Sequence, residues 1–313
     1  MRIHQHAIVT VVATLLLMLM GSLVHGTGSS LACPDWPLCH GSFFPAMIHG
    51  VQFEHTHRLM AAGVVLLTTS LLVRTFRPEG KPARGLVAAA CGLVVVQALL
   101  GGLTVIYRLP PAISIAHLAT SMAFLSVLVM TAARLAPRSG GSIPGKRGWL
   151  GVATGLVYVQ IVLGAVVRHT GAVLACTGVP LCNGDLWPEA GLSRLHMAHR
   201  AVAVLALIVT LVASSRAFRR AGTRGARVVA LAPILAAVVQ VSLGIAMVLA
   251  YAPLDLVTLH HLGGALLLGS LVLCWSVSYS FGGEVSGASG DDVQDSPAGG
   301  EVPRPRGRLA IRA

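Results

Sequence analysis

Charge is what this chain has least of. Only 11% of its 313 residues are charged, while 55% are hydrophobic. Soluble domains carry roughly 25% charged residues, so a water-soluble globular protein is excluded. Aromatic residues make up only 5%. No aromatic–basic platform accompanies the net charge of +12, so that charge is no sign of nucleic-acid binding. Two of the cysteine pairs have five residues between partners, not the C-x-x-C of a metal knuckle. Neither pair carries a C-x-x-C-H pattern, so covalently attached c-type heme is not indicated. Met1–His6 has little positive charge, and no small-residue cleavage site is evident before Cys33. The first apolar run is therefore read as a membrane span and not as a signal peptide.

What the chain has is long apolar runs and a duplication. Spans are expected at 8–26, 58–76, 85–106, 112–133, 149–167, 197–215, 228–250 and 256–280, each near the ~20 residues that cross a bilayer as a helix. GSLVHGTGSSLACPDWPLCHG at 21–41 returns as GAVVRHTGAVLACTGVPLCNG at 164–184. The offset, 143 positions from Gly21 to Gly164, also carries Gln97, Gly101, Pro110 and His117 onto Gln240, Gly244, Pro253 and His260. A repeat of this kind fixes architecture before any local reading. The expected fold class is an all-α membrane protein of eight transmembrane helices in two repeated four-helix bundles. Residues 1–135 form the N-terminal bundle, 136–148 a linker, 149–280 the C-terminal bundle and 281–313 a disordered tail rich in Gly, Ser, Asp, Pro and Arg.

Arginine and lysine set the orientation. Arg74, Arg77, Lys81 and Arg84 lie between spans two and three; Arg134, Arg138, Lys146 and Arg147 between four and five. Arg216, Arg219, Arg220, Arg224 and Arg227 lie between six and seven, and Arg304, Arg306, Arg308 and Arg312 in the tail. All fall on one side, which the positive-inside rule makes cytoplasmic together with both termini. The anionic inner leaflet then accounts for the positive charge.

Cys33/Cys39 and Cys176/Cys182 fall in loops on the opposite, oxidising side, within reach of disulfide formation. They read as loop staples, or, for Cys33/Cys39, as a pair that cycles between thiol and disulfide. Cys91 and Cys274, inside spans, read as small core residues.

Ionisable groups inside spans are costly and usually have a task or a partner. Each even-numbered span carries one histidine at a matching depth: His57, His117, His199 and His260. Spans two and four could grip a planar cofactor from both faces, as could six and eight; iron porphyrins held between bundle helices are a known solution. His261 competes with His260, and the equal spacing from Gln97 to His117 and from Gln240 to His260 favours His260. The halves differ at one telling place. With a one-residue adjustment His57-Arg58 aligns with His199-Arg200, and Glu54 then meets His196. Glu54 reads either as a proton acceptor beside a heme ligand or as an anion at a helix N-terminus. Arg58 and Arg200 could pair with heme propionates or snorkel to phospholipid. Gly101-Gly102, Gly164 and Gly244 read as close helix packing, and Gln97, Gln160 and Gln240 as interhelical hydrogen bonders.

Together, TGSSLACPDWPLCHG (27–41), EHTHR (54–58), QALLG (97–101) with His117, VRHTG (167–171) with the following cysteines, HMAHR (196–200), and QVSLG (240–244) with His260 resemble the heme A synthase family over about 10–280. The resemblance implies a plasma-membrane enzyme that oxidises the C8 methyl of heme O to a formyl group, giving heme A for cytochrome oxidase. Two hydroxylations and loss of water would deliver the aldehyde. It also implies that His57 and His117 receive heme O, that His199 and His260 keep a heme b, that Glu54 is the catalytic carboxylate, and that Cys33/Cys39 is redox-relevant. Heme O synthase and cytochrome oxidase assembly factors are implied partners. The competing readings are a di-heme b electron-transfer cytochrome, a membrane thiol–disulfide oxidoreductase and a transporter with parallel repeats.

Overall fold

The computed structural model describes residues 1–137, 143–144 and 147–279. The predicted tail, part of the predicted linker and the basic residues Arg138, Lys146, Arg304, Arg306, Arg308 and Arg312 lie outside them. Eight long helices account for most of what is described: α1 (Ile3–Gly26), α2 (Val51–Arg74), α3 (Arg84–Ile106), α4 (Pro111–Leu135), α5 (Gly148–His169), α6 (Gly191–Arg220), α7 (Arg224–Leu249) and α8 (Leu254–Tyr279). All eight are long and apolar enough to cross a membrane. Short 3-10 turns at Pro78–Ala83 and Ala172–Leu174 complete the described secondary structure, with isolated bridges at Cys39–Ser42 and Cys182–Asp185.

In hydrocarbon every backbone group must be paired within the chain, which leaves helices as the only spanning form for this sequence. Hydroxyls inside the spans follow the same rule. Thr10, Thr14, Thr68 and Thr131 each donate to the carbonyl four residues earlier, at 2.7–3.0 Å. Helix boundaries sit where the local chemistry puts them. Pro110 and Pro111 open α4, where a missing N–H costs nothing. Thr223 caps α7 by accepting from the Ala226 N–H at 3.2 Å. Gly50 precedes α2 at φ 91°, and a Cβ there would come within 2.8 Å of the Ser29 hydroxyl.

Neighbouring helices pack in sequence within each half, α1 against α2 through to α4 and α5 against α6 through to α8, and each set closes on itself through α1–α4 and α5–α8. Contacts between α4 and α8, α1 and α8, and α4 and α5 join the halves. The largest buried cluster forms at that junction, with Met122, Leu125, Leu268 and Leu271 almost wholly enclosed. Facing outward are Leu66, Val73, Val95 and Leu235, each more than half exposed, as a lipid-facing surface requires. The duplication reaches into the backbone. Arg108 and Leu109 take left-handed φ values of 57° and 62°, and Tyr251 and Ala252 repeat them at 58° and 56°. Residues with a Cβ rarely adopt that conformation.

Candidate heme-binding and catalytic site

Each of the four histidines rests on a glycine of the preceding helix. A Cβ on Gly21 would lie 3.0 Å from the imidazole of His57, one on Gly101 3.3 Å from His117, one on Gly164 3.0 Å from His199, and one on Gly244 3.1 Å from His260. The odd-numbered helices thus leave a side-chain-free notch for a ring from the even-numbered ones. Gly21, Gly101, Gly164 and Gly244 therefore seat imidazoles, where helix–helix packing had been expected for three of them. Gly102 receives a different guest, the ring of Trp36 from the α1–α2 loop. His57 lies near enough to His117 for charge on one to disfavour charge on the other, and His199 near enough to His260, so each half brings one imidazole pair together.

Repeat equivalence favours His260 over His261: it is His260 that meets Gly244, as His117 meets Gly101. Gln240 donates from its amide to the His260 carbonyl at 2.9 Å and lies 3.3 Å from the ring. Gln160 does the same for His199, with 3.0 Å to both the carbonyl and Nδ1. Nδ1 of His57, Nδ1 of His117 and Oε1 of Gln97 are buried without a partner. Buried polar atoms are normally paired, and the orphaned Nδ1 atoms of His57 and His117 fit two imidazoles that would hold the iron of a bound porphyrin. The residues present fit that group.

Among the described residues only the N-terminal pair has a carboxylate one turn away. Glu54 lies one turn before His57 and is 4% exposed. One of its oxygens accepts the Cys33 N–H at 2.8 Å, and the other pairs with Arg58 at 2.6 Å. This is the sole Asp/Glu–Arg/Lys bridge among the described residues. Arg58 also donates to the carbonyls of Cys33, Asp35 and Leu38. Arg200 repeats the pattern on the carbonyls of Cys176 and Gly178 at 2.8 and 2.7 Å, but has His196 where Arg58 has Glu54. Both guanidinium groups are thus turned into the disulfide loops. Carbonyl acceptors leave no trace in sequence, which is why charge alone suggested propionate or phospholipid.

Disulfides join Cys33 to Cys39 and Cys176 to Cys182, with Cα atoms 4.7 Å apart in each. Cys33 and Cys39 are fully enclosed, so exchange with an external thiol requires the loop to open. His55 packs against this bridge, its ring and both sulfurs within 4.8 Å of one another. Met197 takes that place in the second half. Cys274 is buried and Cys91 half-buried, both as free thiols.

The first loop is held from within by Asp35, which accepts the N–H groups of His40 and Gly41 at 2.7 Å each. The Gly41 bond is the largest influence holding its carboxyl below the usual 3.8. In the second loop the roles reverse, and the Asn183 side chain accepts from Thr177 and Gly178. A carboxyl with a lowered folded pKa stabilises above its unfolded value and stops doing so as pH falls through the folded one. The protection of the His40 and Gly41 amides, taken relative to the exchange of an unstructured amide at the same pH, is therefore expected to hold from pH 7 to 5 and to fall only below the ordinary carboxylate range. Protection already lost at pH 5 would show that Asp35 does not hold the loop.

Two histidines outside the four ligand candidates meet at the junction of the halves. The rings of His25 (α1) and His169 (α5) pack edge to face at 5.1 Å. His261 interacts electrostatically with both, and both its ring nitrogens are buried without a partner. Both lie in the repeated segment 21–41 and 164–184 but one position out of register, His25 matching Arg168 and Gly26 matching His169, so the repeat does not pair them.

Eight helices long enough to span a membrane, arranged as two similar halves with one imidazole pair in each, define a multi-pass helical membrane protein. The chain matches the COX15-CtaA family, described as cytochrome oxidase assembly protein, over residues 4–272, and it belongs to that family. It is 32% identical to a heme A synthase of Shouchella clausii over 292 residues, covering 86% of this chain and 94% of that protein. A heme A synthase of Bacillus licheniformis is 32% identical over 226 residues, 68% and 74% of the two chains. One of Shewanella oneidensis is 28% identical over 312 residues, 84% and 93%.

Proposed function

We propose that this protein oxidises the C8 methyl of heme O to a formyl group, yielding heme A. The observation that carries the reading is asymmetry within symmetry: two equivalent imidazole pairs, of which only His57/His117 has a carboxylate one turn away. Relatives of matching length named heme A synthase support it.

The N-terminal half, 1–135, would receive the substrate heme O between His57 and His117. The C-terminal half, 149–280, would hold a heme b between His199 and His260, a resident group that supplies one-electron transfer when bound. Gln160 and Gln240 fix the ring orientation of that second pair, whereas the first has Leu17 where the second has Gln160. An exchangeable substrate suits the less tightly held pair. Each oxidation of the methyl releases protons, and Glu54 is placed to take them. Proton uptake on the oxygen that faces Arg58 weakens that ion pair and with it the clamp on the 33–39 loop. Propionate pairing by Arg58 or Arg200 would require the same clamps to open. The positive-inside rule supports cytoplasmic termini, with both sites then near the outer face of the plasma membrane. Heme O would arrive from a heme O synthase, and heme A would leave toward the factors that assemble cytochrome oxidase.

The test is the pigment of the purified protein from cells that make heme O. Extraction should give heme b with heme O or heme A, and conversion should be lost when His57 or His117 is replaced. Heme b alone would mark a di-heme cytochrome. A colourless preparation, or a Soret band that survives replacement of all four histidines, would overturn the reading.

A further inference from the structure

The end of the molecule opposite the disulfide loops carries a feature that heme chemistry does not use. Helix α6 has 30 residues, about 45 Å at 1.5 Å per residue, against a hydrocarbon core of about 30 Å. Its last turns therefore project into the headgroup layer, and they carry Arg216, Arg219 and Arg220, all exposed. Beneath them is a cavity of about 270 Å³ lined by Ile143, Trp149, Leu150, Ala217, Arg216 and Arg220 among others. Arg216 and Arg219 border a second, shallower one of about 350 Å³ on the neighbouring face of the same helix.

The repeat shows what is unusual here. Arg216 stands where Arg74 does, at the separation of His199 from His57, and Trp149 stands where His6 does, at that of Gly164 from Gly21. In the first half the pair is closed on protein. Arg74 contacts His6 Nδ1 at 3.3 Å and donates to the Met1 carbonyl at 2.8 Å, and His6 meets the Ser70 hydroxyl at 3.3 Å. In the second half the Arg216 guanidinium lies over the Trp149 ring at 5.2 Å. That contact satisfies the face of the cation and leaves its N–H donors, which point in its plane, without an acceptor. Among the described residues, Arg216, Arg219 and Arg220 have no hydrogen-bond or carboxylate partner. Asp35, Glu54, Asp185, Glu189 and Asp255 all belong to the opposite end, and Glu79 to the N-terminal half.

We infer that this cavity is a binding site for an anionic phospholipid, whose phosphodiester is held by Arg216 and Arg220 and whose glycerol and upper acyl carbons occupy the apolar part. A basic pocket between spans at the arginine-rich side is the form such sites take, and a half-exposed tryptophan suits the headgroup level. The apolar lining distinguishes the site from one for a free anion. The positive charge, without a carboxylate partner among the described residues, disfavours zwitterionic lipid, whose cationic headgroup would be repelled.

The test uses the full chain in detergent, with lipid retention read by native mass spectrometry against phosphatidylglycerol, phosphatidylcholine and inorganic phosphate. One phosphatidylglycerol should be retained in clear preference to phosphatidylcholine and should resist millimolar phosphate. The double variant Arg216→Gln/Arg220→Gln should bind it about 30-fold more weakly, the effect of two guanidinium groups near a lipid phosphate, whereas Arg224→Gln should change little. Trp149→Leu, which leaves both arginines in place, gives an independent check, and retention should fall there too. Equal retention of both lipids, or an unchanged affinity in the double variant, would overturn the assignment. Displacement by inorganic phosphate alone would make it a free-anion site. Should the double variant fail to fold, the wild-type preference for phosphatidylglycerol over phosphatidylcholine still decides the matter.

Discussion

Replacing Glu54 with alanine should lower the heme A content of membranes supplied with heme O by about 100-fold or more, with heme O or its alcohol accumulating in its place. The size follows from the usual contribution of a positioned acid or base, 10²–10⁴ in rate. Two routes to that loss must be told apart. Glu54 is also a structural partner: it takes the Cys33 N–H and neutralises an Arg58 whose side chain is only 13% exposed. Removing one member of a buried ion pair costs about 3–5 kcal/mol, so alanine could act by loosening the 33–39 loop. Glutamine separates the two. Glu54→Gln keeps an oxygen for the Cys33 N–H and nearly the same volume, but cannot take up a proton at neutral pH. If Glu54 is the acceptor, Glu54→Gln stays as poor as Glu54→Ala while the C-terminal heme absorbance and the disulfide persist. Recovery of most heme A in Glu54→Gln would reduce Glu54 to a loop clamp.

How far the sequence could be read depended on what kind of partner each residue has. The eight spans were legible because apolar runs of about 20 residues have few other meanings, yet the helices begin earlier than their apolar runs, α2 and α6 by the most. The run at 58–76 belongs to a helix from Val51, and that at 197–215 to one from Gly191. Hydropathy fails there because the first turns carry Gln52, Glu54, His55 and Arg58, or Arg194, His196 and Arg200. These side chains are paid for by contacts with the disulfide loops and not by lipid. The repeat exposed the four histidines and the glycines opposite them, since both kinds of residue recur at the repeat offset, His57 and His199 after a one-residue adjustment. It could not show that glycine and histidine meet, because that contact runs between helices rather than along one. The arginine clamps were hidden for another reason: their partners are backbone carbonyls, which every residue possesses.

The glycine notches supply the other large expected effect, because they allow each half to be emptied without touching a ligand. Gly164→Leu or Gly244→Leu places a side chain where the imidazole of His199 or His260 now sits. Even a bare Cβ would stand 3.0–3.1 Å from the ring, tighter than side-chain atoms tolerate without movement. Overpacking of this kind costs about 1–3 kcal/mol, or roughly 5- to 150-fold in affinity. Leucine also has a higher helix propensity than glycine, so the helices themselves gain. The expected result is loss of most heme b absorbance per protein while substrate heme O can still bind between His57 and His117. Gly21→Leu and Gly101→Leu should do the reverse, sparing heme b and abolishing heme A production. Alanine at any of the four should give a weaker version of the same phenotype, because the ring need give way by only a few tenths of an ångström. The pattern is read from pyridine hemochrome spectra and extracted heme types of four single variants. Should Gly164→Leu and Gly244→Leu keep their full heme b, the imidazoles seated on those glycines would not be the groups that hold it, and the assignment of one porphyrin to each half would fail with them.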